Sequence, residues 1–227
     1  MVYDRRFDGR ELEFGAVGLE KGVFFLYDSE TRSRWSQLVG RAVQGPLKGR
    51  ALRKHPSTLT TWGRWRTLHP GTTVFRDPQL PGRRRFTEES FSRITLGGPA
   101  GGIVNEDLVV AVEGPKSARA WLLRVLASRR VVNDEIDGQP LVVFLTQDAV
   151  TARVWGRALG DRTLSFTAEG DRMRDAETGS LWDPLTGRAL EGPLEGQGLE
   201  PVVSTHGLWY AWRSQRPDTT LWTPPGP

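Results

Sequence analysis

Apolar and polar positions alternate in short bursts along this chain, and the bursts are separated by Gly-, Pro- and Asp-containing breaks. The stretch DLVVAVEGPKSARAWLL (107–123) sets two apolar runs either side of Gly114-Pro115, which predicts a β-hairpin. LLRVLASRR (122–130) predicts one short amphipathic helix, and VVNDEIDGQPLVVFL (131–145) predicts an Asn-Asp and Asp-Gly turn region before a β-branched strand. VTARVWGRALGDRTLSF (150–166) alternates across a Gly-Asp turn, a further hairpin signal. DAETGSLW (175–182) reads as a turn entering a strand, with Gly179 supplying positive φ, and GRALEGPLEGQGL (187–199) as a hairpin with Gly-Pro at its tip. STHGLWYAWRSQRPDTTLW (204–222) predicts a short helix capped by Ser204 or Thr205, stopped before Pro217 and followed by a strand.

Much of this pattern occurs twice. Shifting the chain by 147 residues aligns Asp28–Phe75 with Asp175–Trp222 without a gap, and about 22 of the 48 pairs are identical. The identities include Glu30/Glu177, Thr31/Thr178, Ser33/Ser180, Trp35/Trp182, Gly45/Gly192, Trp62/Trp209 and Trp65/Trp212. Arg32 stands opposite Gly179, so that turn does not strictly require glycine. Upstream, a shift of 152 aligns Val2, Arg5, Arg10, Leu12 and Phe14 with Val154, Arg157, Arg162, Leu164 and Phe166. Met1 then falls opposite Arg153, and the first copy has no counterpart of residues 106–152. The expected architecture is mainly β (a β-rich α+β fold), made of two tandem pseudo-repeats of antiparallel hairpins with short helices. The first repeat spans 1–75 and lacks its front half, 76–103 form a linker, and 104–227 form the second, complete repeat.

Composition narrows the chemistry. Of 227 residues 37% are hydrophobic and 26% charged, which is globular rather than disordered. No apolar run approaches the ~18 residues of a membrane span, and VYDRRFDGRELEF after Met1 has no apolar core of a signal peptide. Cysteine is absent, which excludes disulfides, thiolate nucleophiles and Cys-ligated zinc within the chain. The net charge is +4. Arg5–Arg6, Arg83–Arg85 and Arg129–Arg130 read as solvated surface charge, and no nucleic-acid partner is expected.

The D-x-E-T-x-S-x-W string offers the strongest candidate site, as Asp28, Glu30, Ser33 and Trp35 and again as Asp175, Glu177, Ser180 and Trp182. In an extended segment alternate residues share a face, so each Asp/Glu pair could hold a divalent cation or work as an acid and base. The competing expectation is turn capping, in which Asp and Thr bond local backbone amides. Six of the nine Trp are matched between copies, which favours core packing over a stacking platform. His55, His69 and His206 have no matched histidine and no metal-ligand spacing, and no G-x-S-x-G or phosphate-loop motif is present.

ETGSLWDPLTGRALEGPL, VVNDEIDGQPLVVF and STLTTWGRWRTLHPGT together resemble an uncharacterised prokaryotic family, domain of unknown function 3179, over nearly the whole chain. The resemblance implies a tandem arrangement, usually in exported or membrane-anchored proteins, and supplies no established activity. Its members carry C-P-L-C-G-T just ahead of a segment similar to VYDRRFDGRELEFG. Here that motif would lie upstream of Met1, and the matching slot of the second repeat is TQDAVTA (146–152), with Thr146 and Ala149 in place of the cysteines. The expectation is a non-catalytic β-rich scaffold of the cell envelope, exported or periplasmic as the resemblance implies, that binds a small molecule or a protein, with no cofactor beyond a divalent cation. The alternatives are the remnant of a metal, redox or catalytic protein whose Cys-x-x-Cys centre lies upstream, and a carbohydrate-binding module using exposed Trp. Exposure of Trp35 and Trp182 separates that last alternative from the first.

Overall fold

The computed structural model describes residues 1–74 and 107–224, so the expected linker and Arg83–Arg85 lie outside the described residues. In the first repeat β1 (Val2–Tyr3) pairs antiparallel with β8 (Lys54–His55), and β2 (Arg6–Phe7) with β3 (Arg10–Glu11). Between them β4 (Phe14–Glu20), β5 (Val23–Asp28), β6 (Arg34–Ser36) and β7 (Arg41–Gln44) form a four-stranded antiparallel meander, followed by helix α1 (Trp62–Leu68).

The second repeat rebuilds this plan with β14 (Ala158–Leu159), β15 (Arg162–Thr163) and a meander of β16 (Phe166–Glu169), β17 (Arg172–Asp175), β18 (Leu181–Asp183) and β19 (Arg188–Glu191). It then adds what the first repeat lacks. β9 (Leu108–Glu113) and β10 (Ala118–Leu122) form the expected hairpin, α2 (Leu123–Arg129) follows, and β11 (Val131–Ile136), β12 (Gln139–Leu145) and β13 (Ala152–Gly156) make an antiparallel sheet. The chain ends in β20 (Ser204–Leu208), α3 (Trp209–Gln215) and β21 (Thr219–Leu221), which flank the hairpin in the order β20-β9-β10-β21. The β10–β21 pairing is parallel.

The hairpin β9–β10 explains three departures from the sequence expectation. Ser204 and Thr205 do not cap a helix. They lie in β20, paired with β9 residue for residue, and α3 begins at Trp209 behind Leu208, which makes no side-chain cap bond. Among the described residues the first repeat has no such partner, the Ser57–Thr58 segment is not a strand, and Thr61 caps α1 by accepting from the Arg64 amide at 3.3 Å. The strand expected after α1 is likewise missing over the described residues 72–74, because its counterpart β21 depends on β10. Further along, Asn133 and Asp134 lie within β11 rather than in a turn. The turn is Asp137-Gly138, both at positive φ.

The two helices feel the same absence. α3 buries Trp209, Ala211 and Trp212 against the hairpin and the first-repeat meander, whereas α1 buries none of its residues. Trp62 is 47% exposed and its counterpart Trp209 only 7%. Removing a buried Trp costs about 3–5 kcal/mol, whereas a surface substitution is usually within about 0.5 kcal/mol. Trp209→Ala is therefore expected to cost several times what Trp62→Ala costs in urea unfolding. Equal losses would contradict the asymmetry.

Candidate functional site: the inter-repeat cleft

The D-x-E-T-x-S-x-W strings build two matching clamps. Asp28 ends β5 and is buried at 0% exposure; its Oδ1 accepts from the Thr31 amide at 2.6 Å, and its Oδ2 from Thr31 Oγ1 at 2.8 Å and Trp35 Nε1 at 2.9 Å. Asp175 repeats this with the Thr178 amide at 2.6 Å, Thr178 Oγ1 at 2.8 Å and Trp182 Nε1 at 2.8 Å. An ionised carboxylate only accepts, so the Thr hydroxyl donates to it, and the Ser hydroxyl in turn donates to Thr (2.7 Å in both repeats). Ser33 Oγ and Ser180 Oγ then accept from the Leu47 and Leu194 amides at 3.0 and 3.1 Å, which ties the clamp to the Gly-Pro loop. A Cβ on Gly45 or Gly192 would stand 2.7 or 2.8 Å from the Ser Cα behind it, and both glycines have φ near +90°, so this loop demands glycine. The turn at Gly179 is looser. Its φ is +74°, Arg32 adopts +58° at the matching place, and nothing crowds a Cβ there.

The carboxylates of each string do not converge, because β5 and β17 end at the Asp and the alternation stops there. Glu30 pairs at the surface with Arg10 at 3.2 Å, and Glu177 accepts from the Ser165 amide at 2.8 Å. Trp35 and Trp182 are 1% and 0% exposed, so neither indole offers a face to a sugar. Among the described residues no group of three or more His, Asp or Glu is arranged to hold a metal.

A different place stands open. Val23, Phe25, Leu38 and Val39 of the first meander pack against α3 and the β9–β10 hairpin in one dry core. Through the repeat, the reciprocal contact sets the second meander against α1. Both meanders register their central strand on the clamp Trp (Leu26 opposite Trp35, Met173 opposite Trp182), so Phe25 corresponds to Arg172. By the 147-residue shift, Ser36, Val39 and Ala211 become Asp183, Thr186 and Arg64. The apolar contact is thus replaced by a charged one, and it does not close. A cleft of about 640 Å³ contains Arg64, Asp148, Asp171, Arg172 and Asp183, and meets a second of about 480 Å³ at Leu68 and Leu185. Arg64 ion-pairs with Asp148 at 3.1 Å and Asp171 at 3.6 Å, and Arg172 with Asp183 at 3.3 Å.

The second chamber is walled by Trp65, His69, Arg153, Trp155 and the strap 56–60. The two repeats seat their aromatics alike. Tyr3 Oη donates to the Gln37 carbonyl at 2.9 Å over Gly40, and Trp155 Nε1 to the Pro184 carbonyl at 2.7 Å over Gly187. Arg153 lies over the Trp155 ring at 4.5 Å and reaches the strap through Nη1, to Thr58 Oγ1 at 2.7 Å and the Ser57 carbonyl at 3.3 Å. A third chamber of about 240 Å³ shares Val2, Ser57 and Thr58 with it and is floored by Ser204 and His206. Burial is the main cause holding the His206 imidazole down, to a pKa of about 4; the positive charges of the Met1 amine and Arg153 add to this, and a bond to the Ala152 carbonyl opposes it.

Matched residues in the clamps therefore mark shared structure, and the charged residues that line the cleft are unmatched ones. Arg64, Arg153, Arg172 and His206 escape a search for motifs. The signal that finds them is a charged or polar residue in one repeat where the other has Ala, Met, Phe or Leu. The turn 146–151, the second repeat's counterpart of the slot in which the resemblance places two cysteines, reaches this cleft through Asp148.

The clamps make a pH prediction. Burial alone would raise the Asp28 and Asp175 carboxyls, but hydrogen bonds from Trp35 and Trp182, Thr31 and Thr178, and the Ser33 and Ser180 amides outweigh it and hold both below the usual carboxylate value. A folded value below the unfolded one gives stability that is fully present above about pH 4 and is lost as pH falls through the folded value. Asp28→Asn and Asp175→Asn are each expected to cost about 1–3 kcal/mol at pH 7, and the deficit should narrow on acidification below about pH 4. Urea unfolding at pH 7 and pH 3 checks this; a deficit independent of pH would contradict a buried charged carboxylate.

No curated protein and no solved structure matches this chain. One family model does, twice, over residues 1–101 and again over 99–226, in keeping with the doubled clamps and meanders. The chain belongs to the family described as protein of unknown function (DUF3179).

Proposed function

We propose that this protein is a non-catalytic ligand-binding scaffold whose site is the cleft between the second meander and α1. One observation carries the reading: of two contacts related by the repeat, one is a dry apolar core and the other is opened and lined with Arg64, Asp148, Asp171, Arg172 and Asp183. Packing with apolar side chains would be the stable arrangement, since charged pairs in a part-buried site recover little of their lost hydration. A concave site with a few convergent polar groups is the usual form of a small-molecule pocket. Ser57, Thr58 and Ser204 share the chambers with His69 and His206, but among the described residues no hydroxyl there is hydrogen-bonded to an imidazole, which favours binding over turnover.

The test is to restore the packed contact. The double variant Arg64→Ala and Arg172→Phe carries the residues of the dry counterpart. It leaves Asp148 and Asp183 without their arginines, so the thermal midpoint should stay level or fall by a few degrees, and it should abolish protection by any small molecule that stabilises the wild type. A ligand that protects the filled variant as well as the wild type would place the site elsewhere.

A further inference from the structure

Arg153 and Arg157 are half-buried arginines without an ion pair, but Arg157 bonds three backbone carbonyls and feels the charges of Glu177, Asp134 and Glu135, and Arg153 has no such charge beside it. Arg119, Arg130 and Arg216 each meet a carboxylate, Asp134 at 2.9 Å, Asp171 at 2.9 Å and Glu113 at 2.7 Å. Arg153 ion-pairs with none of the described carboxylates, desolvation alone acts on it, and its buried Nε has no hydrogen-bond partner. Neither of the two chambers that share the strap 57–58 has an Asp or Glu in its wall. A guanidinium taken out of water calls for an anion, and here the described residues supply none. Beside it, His206 carries a second buried nitrogen without a partner, Nε2. The proton of the neutral imidazole is directed to the Ala152 carbonyl, so Nε2 presents a lone pair that wants a donor.

We propose that the cleft takes a small hydroxycarboxylate, whose carboxylate meets the Arg153 guanidinium and whose hydroxyl donates to His206 Nε2. The inference rests on the reading of the cleft as a ligand site and names its ligand class. A sulfate brings no proton for Nε2, and a neutral polyol leaves Arg153 unanswered. The chambers hold about 240 and 480 Å³, and Val2, Leu59, Trp65 and Trp155 provide an apolar wall for a short carbon chain.

The experiment is an NMR titration of the full-length chain with lactate, propionate, sulfate and glycerol, following the Arg153 Nε–H and Trp155 Nε1–H signals. Lactate is expected to shift both, propionate to bind about fivefold more weakly for want of one hydrogen bond, and sulfate and glycerol to leave both signals in place. His206→Leu, the residue the first repeat has at this position, should bring lactate down to the propionate level without changing propionate. Arg153→Met, again the first repeat's residue, should abolish binding of both acids while leaving the thermal midpoint equal or higher, because an unpaired part-buried charge is removed. Sulfate or glycerol binding as well as lactate does, or lactate affinity unchanged in Arg153→Met, overturns the ligand class. If none of the four binds while another compound protects the wild type and not the Arg64/Arg172 variant, the class is wrong and the cleft stands. If no compound protects the wild type, the cleft falls with it.

Discussion

A carboxylate buried under an indole is the constraint on which this structure turns. Asp28 and Asp175 lie out of water, which is tolerable only because amide, hydroxyl and indole donors answer each of them. That requirement fixes the turn, since Thr31 or Thr178 must come back over the Asp. It also fixes the next strand, since the Trp must point inward at the Asp, and the loop beyond, since the Ser hydroxyl has to receive a Leu amide past a glycine that cannot carry a Cβ. Once the clamp closes, the meander has one register, and its core face is set by Trp35 or Trp182, with Phe14 or Phe166 packed edge-on against it at 5.9 or 5.8 Å.

Two equal clamps do not give two equal halves. The second meander is preceded by the β9–β10 hairpin, and among the described residues the first meander has no counterpart of it. The hairpin gives β20 and β21 backbone partners and gives Trp209 and Trp212 a wall, and the first meander's apolar residues join that core. The reciprocal surface of α1 has no such wall. Trp65 keeps its bond to Thr72 Oγ1 at 3.0 Å, matching Trp212 to Thr219 at 2.8 Å, so the helix holds its local form while losing its burial. The space this leaves, edged by charge, is the cleft.

The sequence made the hairpins, the doubling and the glycine turns legible because each depends on residues close in the chain. It could not place the end elements. Ser57-Thr58 and Ser204-Thr205 are the same dipeptide at matching positions, yet one lies in a strap and the other in a strand, and only the presence of β9 separates them. The acidic string was legible as a turn and ambiguous as a site, since alternation implies a shared face only while the strand lasts, and both strands end at the Asp. The cleft was hidden for a further reason. Arg64 and Arg172 are ordinary surface residues by composition, and they acquire meaning only when Ala211 and Phe25, opposite them in the other repeat, are known to be packed.

Duplication thus separates two kinds of information that a single copy would mix. Where both repeats keep a residue, the clamp geometry gives a structural cause: Asp accepts, Trp donates, Ser bridges, and glycine makes room. Where they differ, the same backbone position meets two environments, and the difference reports what each environment must do. Val39 in a dry core and Thr186 in an open chamber sit at one position of one motif. Arg64 and Ala211 share another, and the arginine edges the open cleft while the alanine is packed in the dry core. Stability does not explain that choice, because the fold already shows, in its other half, how an apolar contact would close the gap.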